Sequence, residues 1–140
     1  MKRRNTLDLN PKTRDELIKK AIEVRSLTYS PYSHYAVGAA LLTESGKVYT
    51  GINIENSAYP TSICAERVAV FKAVSEGERA FIAIAVATDN GGSPCGSCRQ
   101  VMSEFSPSMQ IIDVDGAGIV HLDAPLDDLL PHAFRPEDLE

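Results

Sequence analysis

The sequence predicts an α/β fold in which helices cover both faces of a mixed five-stranded sheet, forming a three-layer α/β/α sandwich. Two short and continuously apolar segments, residues 37–42 and 81–87, are typical of central strands that are covered on both faces. Helical and strand patterns follow one another in the order α-β-β-α-β-α-β-β-α. Because the chain has 140 residues and shows no linker, we expect a single domain over residues 1–140.

The first predicted helix begins at Asn10 and Pro11, an N-cap residue followed by proline at the first helical position. Apolar residues then recur with helical spacing. Ser30 and Pro31 are expected to end this helix near Tyr29, because proline disfavours helical backbone in the residue before it.

A turn at residues 44–47 leads from the first predicted strand to a second one, at residues 48–55. Side chains alternate between the two faces of a strand, so Asn53 and Glu55 lie on the same face. These two polar side chains are therefore expected to emerge together, beside the segment that leads to Cys64.

The remaining predicted elements are a helix, a strand, a helix, two strands and a short helix, at residues 64–76, 81–87, 95–105, 109–114, 118–122 and 125–130. Gly77 is expected to close the first of these helices. The last two strands are separated only by residues 115–117, which is too short for a parallel crossover. We therefore expect these two strands to pair antiparallel.

Composition limits the classes of partner. The net charge is −5, whereas proteins that bind nucleic acids concentrate Lys and Arg against phosphates, so we expect no polynucleotide partner. No apolar run approaches the roughly 20 residues that span a bilayer, so we expect no membrane partner. No apolar stretch follows the basic residues of Met1–Asn5, which disfavours a secretory signal and favours the cytoplasm.

Three cysteines are the most informative residues of the chain. Their odd number disfavours a disulfide framework, and in a reducing cytoplasm metal binding explains them better. Cys95 and Cys98 lie three residues apart at the start of a predicted helix, and Cys64 opens the preceding helix. Three thiolates can hold one Zn²⁺ and leave its fourth position open to water, which is the arrangement of a hydrolytic site.

Two residues beside Cys64 complete this hypothesis. Glu66 is close enough to reach a water on the metal and to act as a general base. Arg67 lies one turn after Cys64, and we expect it to hydrogen-bond the ligand sulfurs and to offset their excess negative charge. The plainer alternatives are a glutamate favoured by the helix dipole alone and an arginine in a surface ion pair.

Two other interpretations of the cysteines remain open. Cys95 and Cys98 have the spacing of a thioredoxin-like redox pair, although this leaves Cys64 and Glu66 without a role. A closed structural zinc site needs a fourth protein ligand, and the available histidines are His34, His121 and His132. None of these histidines is near the cysteines in sequence.

Several further stretches form one specific pattern with the cysteines: Pro31-Tyr32-Ser33 with Tyr35, residues 37–41, Asn53-Ile54-Glu55-Asn56, Cys64-Ala65-Glu66-Arg67, residues 94–100 and residues 129–134. With these residues the chain resembles the small, homotetrameric cytidine deaminases over nearly its whole length. The resemblance implies one zinc ion per subunit on Cys64, Cys95 and Cys98, with Glu66 as the proton shuttle.

The resemblance also implies how a nucleoside would be bound. Asn53 and Glu55 would meet the ribose hydroxyls, Tyr35 would pack against the base where phenylalanine is common in the family, and the backbone of Ala65 would meet the pyrimidine carbonyl. Tyr59 and Phe134 would enter the pocket of a neighbouring subunit, so that the homotetramer completes each active site; both could equally be core or interface aromatics.

The predicted function is the hydrolysis of cytidine and 2′-deoxycytidine to the uridine products and ammonia, a reaction of pyrimidine salvage. The carboxylate of Glu55 would repel a phosphate, which favours free nucleosides over nucleotides. The alternative enzyme is a deaminase of a cytosine-nucleoside antibiotic such as blasticidin S. The resemblance disfavours it, because the stretch Asn53-Ile54-Glu55-Asn56 matches the cytidine deaminases and not those relatives. A polynucleotide-editing deaminase is less favoured, and so is a catalytically silent zinc-binding scaffold.

Overall fold

The computed structural model describes residues 9–140, so the basic stretch Met1–Asn5 lies outside the described residues. The helices are α1 (Pro11–Val24), α2 (Ala65–Ser75), α3 (Gly96–Phe105) and α4 (Leu126–Leu129). The strands are β1 (Gly38–Thr43), β2 (Val48–Ile52), β3 (Phe81–Ala87), β4 (Gln110–Val114) and β5 (Val120–Pro125). Short 3₁₀ helices cover Arg25–Leu27, Tyr59–Thr61 and Pro136–Leu139.

The five strands form one mixed sheet in the order β2-β1-β3-β4-β5. Strands β3 and β4 pair parallel, and every other neighbouring pair is antiparallel. The antiparallel pairing of β4 with β5 confirms the prediction from the short connection between them. The predicted mixed five-stranded sheet is confirmed as well.

Helices cover both faces of this sheet and produce two apolar cores. Helix α1 packs on one face, where Leu17 and Ala21 meet alternate residues of β1, β3 and β4. Helices α2 and α3 pack on the other face, where Ala69 and Met102 belong to a second buried cluster. This arrangement is the predicted three-layer sandwich. No helix within residues 9–140 combines the length and the apolar character needed to cross a bilayer.

The first helix ends earlier than its sequence predicts. Helix α1 stops at Val24 rather than near Tyr29, because Tyr29 is drawn into a strand-like bridge with Ile54. The backbone N–H of Tyr29 donates to the carbonyl of Asn53 (3.1 Å). This pairing requires extended backbone and is therefore incompatible with a helix.

The predicted limits of the last strand and the last helix are also wrong. Strand β5 begins at Val120 rather than at residue 118, because the turn before it is longer: the side chain of Asp115 accepts from the N–H groups of Ala117 (2.9 Å) and Ile119 (3.1 Å). The strand then continues to Pro125, which pairs with Gln110. Helix α4 is left with only four residues, Leu126–Leu129.

A close contact at Gly51 sets the position of α2. A Cβ atom on Gly51 would lie 2.4 Å from the carbonyl oxygen of Ala65 and 2.6 Å from the amide nitrogen of Ala69. Only glycine leaves room for the helix backbone to approach β2 this closely. The N-terminus of α2, with Cys64 and Glu66, is thereby held against the sheet edge that carries Asn53.

Candidate active site

The N-termini of the two helices that carry the cysteines, α2 and α3, lie close together in space. Cys64 is the N-cap residue of α2 and Cys95 is the N-cap residue of α3, and both have extended backbone. Cys98 lies on the first turn of α3, and its N–H donates to the sulfur of Cys95 (3.5 Å). The three sulfurs therefore lie where the positive ends of two helix dipoles meet, which favours the thiolate form.

The geometry of the three sulfurs suits a tetrahedral metal ion. The Sγ atom of Cys95 lies 3.7 Å from that of Cys64 and 3.5 Å from that of Cys98, and all three are free thiols. Zinc–sulfur bonds of about 2.3 Å in a tetrahedral geometry separate the sulfurs by about 3.8 Å. The donor set thus fits Zn²⁺ without rearrangement.

Within the described residues, the protein supplies three metal ligands and no fourth. Among residues 9–140, the cluster of His, Cys, Asp and Glu side chains that could hold a metal contains only the three cysteines. His121 is instead paired with Asp115, at 2.9 Å between Nε2 and Oδ2. The described part of the chain therefore offers no fourth ligand from His34, His121 or His132, and the arrangement leaves a coordination position for water.

The protonation of the thiols follows from their contacts. A hydrogen bond from Cys98, together with those from Arg67 and Cys95, lowers the pKa of Cys64 to about 5 against the opposing effect of burial. The same bond to Cys64, together with burial, raises the pKa of Cys98. These opposite shifts correspond to a hydrogen bond in which the Cys98 thiol is the donor and the Cys64 sulfur is the acceptor.

Arg67 contacts the cluster directly. Its Nη2 atom lies 3.4 Å from the sulfur of Cys64, one helical turn away. The guanidinium supplies positive charge beside a group of sulfurs whose combined charge would exceed that of one Zn²⁺ ion. This contact with Cys64 directs the side chain at the sulfurs rather than at a surface carboxylate, and its buried Nε atom has no hydrogen-bond partner within the described residues.

Glu66 is a buried carboxyl group, only 5% exposed, on the first turn of α2. Burial raises its pKa to about 7, and the negative charge of Cys64 acts in the same direction, while Arg67 partly opposes the shift. A carboxyl group with this pKa can both accept and release a proton near neutral pH. Glu66 therefore has the properties of a general acid–base.

A cleft leads to Glu66 and the cysteines. One cavity of about 300 Å³ is lined by residues from both halves of the chain: Ser33, Tyr35, Val37, Asn53, Glu55, Ser62, Ile63, Cys64, Glu66, Val86, Thr88, Gly92, Ser93 and Cys95. A second cavity of about 310 Å³ shares Ser33, Glu55 and Ser62 with the first and adds Tyr32 and Tyr59. Together they form one open cleft, of a size that suits a small polar molecule.

Asn53 holds the wall of this cleft. Its Oδ1 atom accepts from the N–H of Val37 (3.0 Å) and from the hydroxyl of Thr28, and its Nδ2 atom donates to the carbonyl of Tyr35 (2.6 Å). An amide side chain has two donor hydrogens and two acceptor lone pairs. By this count one N–H of Asn53 is left for a ligand in the cleft.

Glu55 is ionised and fixed in place. Its Oε1 atom accepts from the N–H groups of Tyr32 and Ser33, both at 3.0 Å, and its Oε2 atom accepts from the hydroxyl of Ser33. These bonds, led by the one from the Ser33 hydroxyl, lower the pKa of Glu55. A carboxylate held in this way can accept further hydrogen bonds from hydroxyl groups.

The other predicted site residues are more scattered. Tyr35 lines the cleft, and Ala65 is fully buried at the start of α2. Tyr59 is 69% exposed and lies at the rim of the cleft of its own chain, with its ring 5.6 Å from that of Tyr32. Phe134 is 56% exposed and is not among the residues that line either cavity.

Two polar groups near the site were missed by the sequence analysis. Thr88 lines the cleft just after β3, where the carboxyl end of a parallel strand commonly carries functional groups. Asp113 is fully buried in β4 beside Val86 of the cleft wall, and neither carboxylate oxygen has a hydrogen-bond partner within the described residues. Asp113 could have been noticed as a charged residue in an otherwise apolar strand.

Comparison with known proteins identifies the family. The family profile described as "Cytidine and deoxycytidylate deaminase zinc-binding region" matches residues 11–112. This match covers well over half of the chain and includes all three cysteines and Glu66. The chain belongs to this family, whose members bind zinc.

Individual relatives agree with this assignment. A cytidine deaminase of Sporosarcina psychrophila is 49% identical over 128 residues, which cover 89% of this chain and 93% of the relative. A cytidine deaminase of Halalkalibacterium halodurans is 46% identical, with 90% and 97% covered.

Solved structures agree as well. The crystal structure of cytidine deaminase from Burkholderia pseudomallei matches with a TM-score of 0.82 at 43% identity, over 86% of this chain and 98% of that one. The crystal structure of cytidine deaminase from Mycobacterium tuberculosis matches with a TM-score of 0.73 at 38% identity, over 86% of this chain and 96% of that one. The similarity therefore extends through nearly the whole of these proteins.

Replacing the buried Asp113 by asparagine should change how stability depends on pH. Burial, together with the charge of Glu66, raises the pKa of Asp113 from 3.8 to about 8. Between these values the folded chain binds more protons than the unfolded chain, so the wild-type free energy of unfolding decreases as pH rises. The Asp113→Asn variant should lack this decrease, and its melting temperature relative to wild type should rise across the same window.

Calorimetry at intervals across that window measures both proteins. Asp127→Asn on the exposed surface of α4 is the control for a change from carboxyl to amide. If wild type and Asp113→Asn show parallel pH profiles, Asp113 does not titrate in this way.

Proposed function

We propose that this protein catalyses the zinc-dependent hydrolytic deamination of cytidine and 2′-deoxycytidine to uridine and 2′-deoxyuridine, releasing ammonia. The observation that carries the proposal is a buried carboxyl group, Glu66, in a cleft beside three clustered thiols that lack a fourth protein ligand among the described residues. The extensive similarity to enzymes named cytidine deaminase supports the choice of substrate.

Cys64, Cys95 and Cys98 would hold the zinc ion. When bound, zinc supplies a Lewis acid that lowers the pKa of a water molecule towards about 7. Arg67 would keep the sulfur of Cys64 in position and limit the negative charge at the metal. The two helix N-termini support the same thiolates.

Glu66 would carry the proton during the reaction. The oxygen of water forms a bond to C4 of the cytosine ring while Glu66 takes the proton from that water and delivers it to N3. Glu66 then takes the remaining proton from the C4 hydroxyl and transfers it to the amino nitrogen. The bond between C4 and that nitrogen breaks as the C4 carbonyl forms, so that ammonia departs. Burial raises the pKa of Glu66 above the usual range of a carboxyl group, which suits a residue that must both accept and release a proton.

The cleft would recognise the rest of the nucleoside. The remaining N–H of Asn53 and the carboxylate of Glu55 suit the hydroxyl groups of the sugar. Tyr35 would pack against the base. Ala65 is the first residue of α2, and the first N–H groups of a helix have no intrahelical acceptor, so its backbone suits the pyrimidine carbonyl.

We further propose that free nucleosides are preferred over nucleotides. Glu55 is ionised, and a phosphate on the sugar would meet its negative charge. The antibiotic deaminase is the less favoured enzyme, because the similar proteins are named cytidine deaminase. A silent zinc-binding scaffold would not require a carboxyl group to be buried beside an open metal position.

The assembly is proposed to be a homotetramer that completes each active site, with residues 1–140 as one domain. Tyr59 and Phe134 are exposed apolar side chains, as is Phe71 on the outer surface of α2. A neighbouring subunit could cover them, and Tyr59 already lies at the rim of the cleft.

A reducing compartment keeps the three thiols free for metal, which supports a cytoplasmic location.

Changing Glu66 to glutamine tests the proton shuttle. The Glu66→Gln variant should retain about one zinc ion per chain but lose activity by about 10²–10⁴-fold in kcat, because the amide cannot accept the proton. Zinc is measured by elemental analysis and turnover by the loss of cytidine absorbance. Glu104→Gln, on the exposed side of α3, is the matched control. Turnover near the wild-type rate in Glu66→Gln would remove Glu66 from the mechanism.

A substrate panel tests the proposed specificity. Cytidine and 2′-deoxycytidine should be deaminated with values of kcat/KM at least tenfold above those for CMP, dCMP and blasticidin S, because each tenfold requires only about 1.4 kcal/mol of differential interaction. Steady-state assays at one pH and one salt concentration make the comparison. If kcat/KM is higher for CMP or dCMP than for cytidine, the proposed role of Glu55 is contradicted. If kcat/KM is higher for blasticidin S than for cytidine, the alternative enzyme is favoured.

The molar mass of the protein in solution tests the proposed homotetramer. Light scattering should give four times the chain mass of 15.2 kDa. The double substitution of Tyr59 and Phe134 by alanine should lower kcat/KM by at least tenfold, because the neighbouring pocket loses its aromatic contacts. A fully active monomer would show that one chain builds the whole site.

A further inference from the structure

The hydroxyl group of Tyr35, a residue that lines the cleft, has a hydrogen-bond partner in a distant segment of the chain. It donates a hydrogen bond of 2.7 Å to Oδ1 of Asn90, which lies 55 residues away in sequence. Asn90 belongs to residues 88–94, which connect β3 to α3 and lead directly to Cys95. The hydroxyl therefore joins the wall that would face the base to the segment that carries a metal ligand.

Residues 88–94, which we call the Thr88 loop, are internally bonded around the buried Thr88 hydroxyl. This oxygen accepts from the N–H groups of Gly91 (2.7 Å) and Gly92 (3.0 Å) and is 3.4 Å from Oδ1 of Asn90. Gly91 has a φ of 76°, which glycine adopts without strain. The loop is therefore a compact turn.

The start of the Thr88 loop is anchored to the sheet, because the N–H of Thr88 donates to the carbonyl of Val114 (3.1 Å) and Asn90 forms a bridge with Asp115. The ion pair between Arg25 and Asp89 holds the same end, so the Tyr35 hydroxyl is the contact that ties the turn to the cleft wall.

The far end of the Thr88 loop is held by α3. The guanidinium of Arg99 donates from Nε to the carbonyl of Pro94 (2.8 Å) and from Nη2 to the hydroxyl of Ser93 (3.1 Å). A shift of the loop would therefore be transmitted to Pro94 and Cys95 rather than absorbed by a free linker.

Tyr35 is itself held on the side of the proposed sugar contacts. Its carbonyl accepts from Asn53, and its N–H donates to the Ser33 hydroxyl (3.0 Å), which in turn is bonded to Glu55. A Cβ atom on Gly92 would lie 2.6 Å from the Tyr35 hydroxyl oxygen, so the loop backbone passes directly against the tip of the ring.

We propose that the Tyr35 hydroxyl is a positioning group that fixes the Thr88 loop, and with it the width of the cleft between the sugar contacts and Cys95. This role rests on the proposed deamination and adds to it, because packing against the base requires only the ring. A cleft of fixed width binds a nucleoside without first having to order a loop. The hydroxyl then contributes to substrate binding and not to the chemical step.

The test uses Tyr35→Phe, Asn90→Ala and the double variant in the zinc-loaded full chain. Each single variant should raise KM for cytidine by roughly two- to tenfold, as expected for the loss of one neutral hydrogen bond, with kcat changed by less than about twofold. The double variant should be no worse than the more affected single variant, because both remove the same bond. Tyr29→Phe, at an exposed tyrosine outside both cavities, is the matched control for loss of a hydroxyl.

A second measurement does not depend on activity. Amide hydrogen exchange of residues 88–94 should be faster in Tyr35→Phe and in Asn90→Ala than in wild type, and unchanged in Tyr29→Phe. Unchanged exchange or KM, multiplicative effects in the double variant, or a fall in kcat alone would overturn the proposal. If wild type fails to deaminate cytidine, the proposed function fails, while the exchange rates still decide whether the hydroxyl holds the loop.

Discussion

The site depends on one electrostatic constraint, namely that three sulfurs are brought within bonding distance of a single ion. Thiolates at this spacing repel one another unless positive charge is supplied. The chain provides that charge from two helix N-termini and from Arg67, at 3.4 Å from the sulfur of Cys64. The metal ion supplies the rest, so its binding and the local fold stabilise each other.

Backbone packing at Gly51 and the connection that follows β3 bring the three sulfurs together. The close approach at Gly51 places the start of α2 against the sheet, and the Thr88 loop leads from the end of β3 to the start of α3. Because the N-cap positions are set by the backbone, the metal ligands do not depend on flexible side chains for their placement. Metal ligands that are rigidly placed in this way suit a site in which small shifts alter reactivity.

Buried carboxyl groups share the face of the sheet that lies behind the metal site. Glu66 lines the cleft. Asp113 lies on β4, beside the β3 residue Val86 that also lines the cleft, and it has no hydrogen-bond partner among the described residues. Burial raises the pKa of both groups. The same desolvation therefore prepares Glu66 for proton transfer and disfavours a second negative charge, on Asp113, behind the cysteines.

The sequence by itself determined the fold class, the order of the elements and the residues of the metal cluster, because these follow from local rules. Periodicity, N-cap chemistry and the spacing of Cys95 and Cys98 act within a few residues. Only the tertiary structure decided the early end of α1, the burial of Asp113 and the bond between Tyr35 and Asn90. The end of α1 and the Tyr35–Asn90 bond each depend on a partner far along the chain, as Tyr29 meets Ile54. The burial of Asp113 depends on which elements pack over β4, and no local pattern encodes either kind of distant contact.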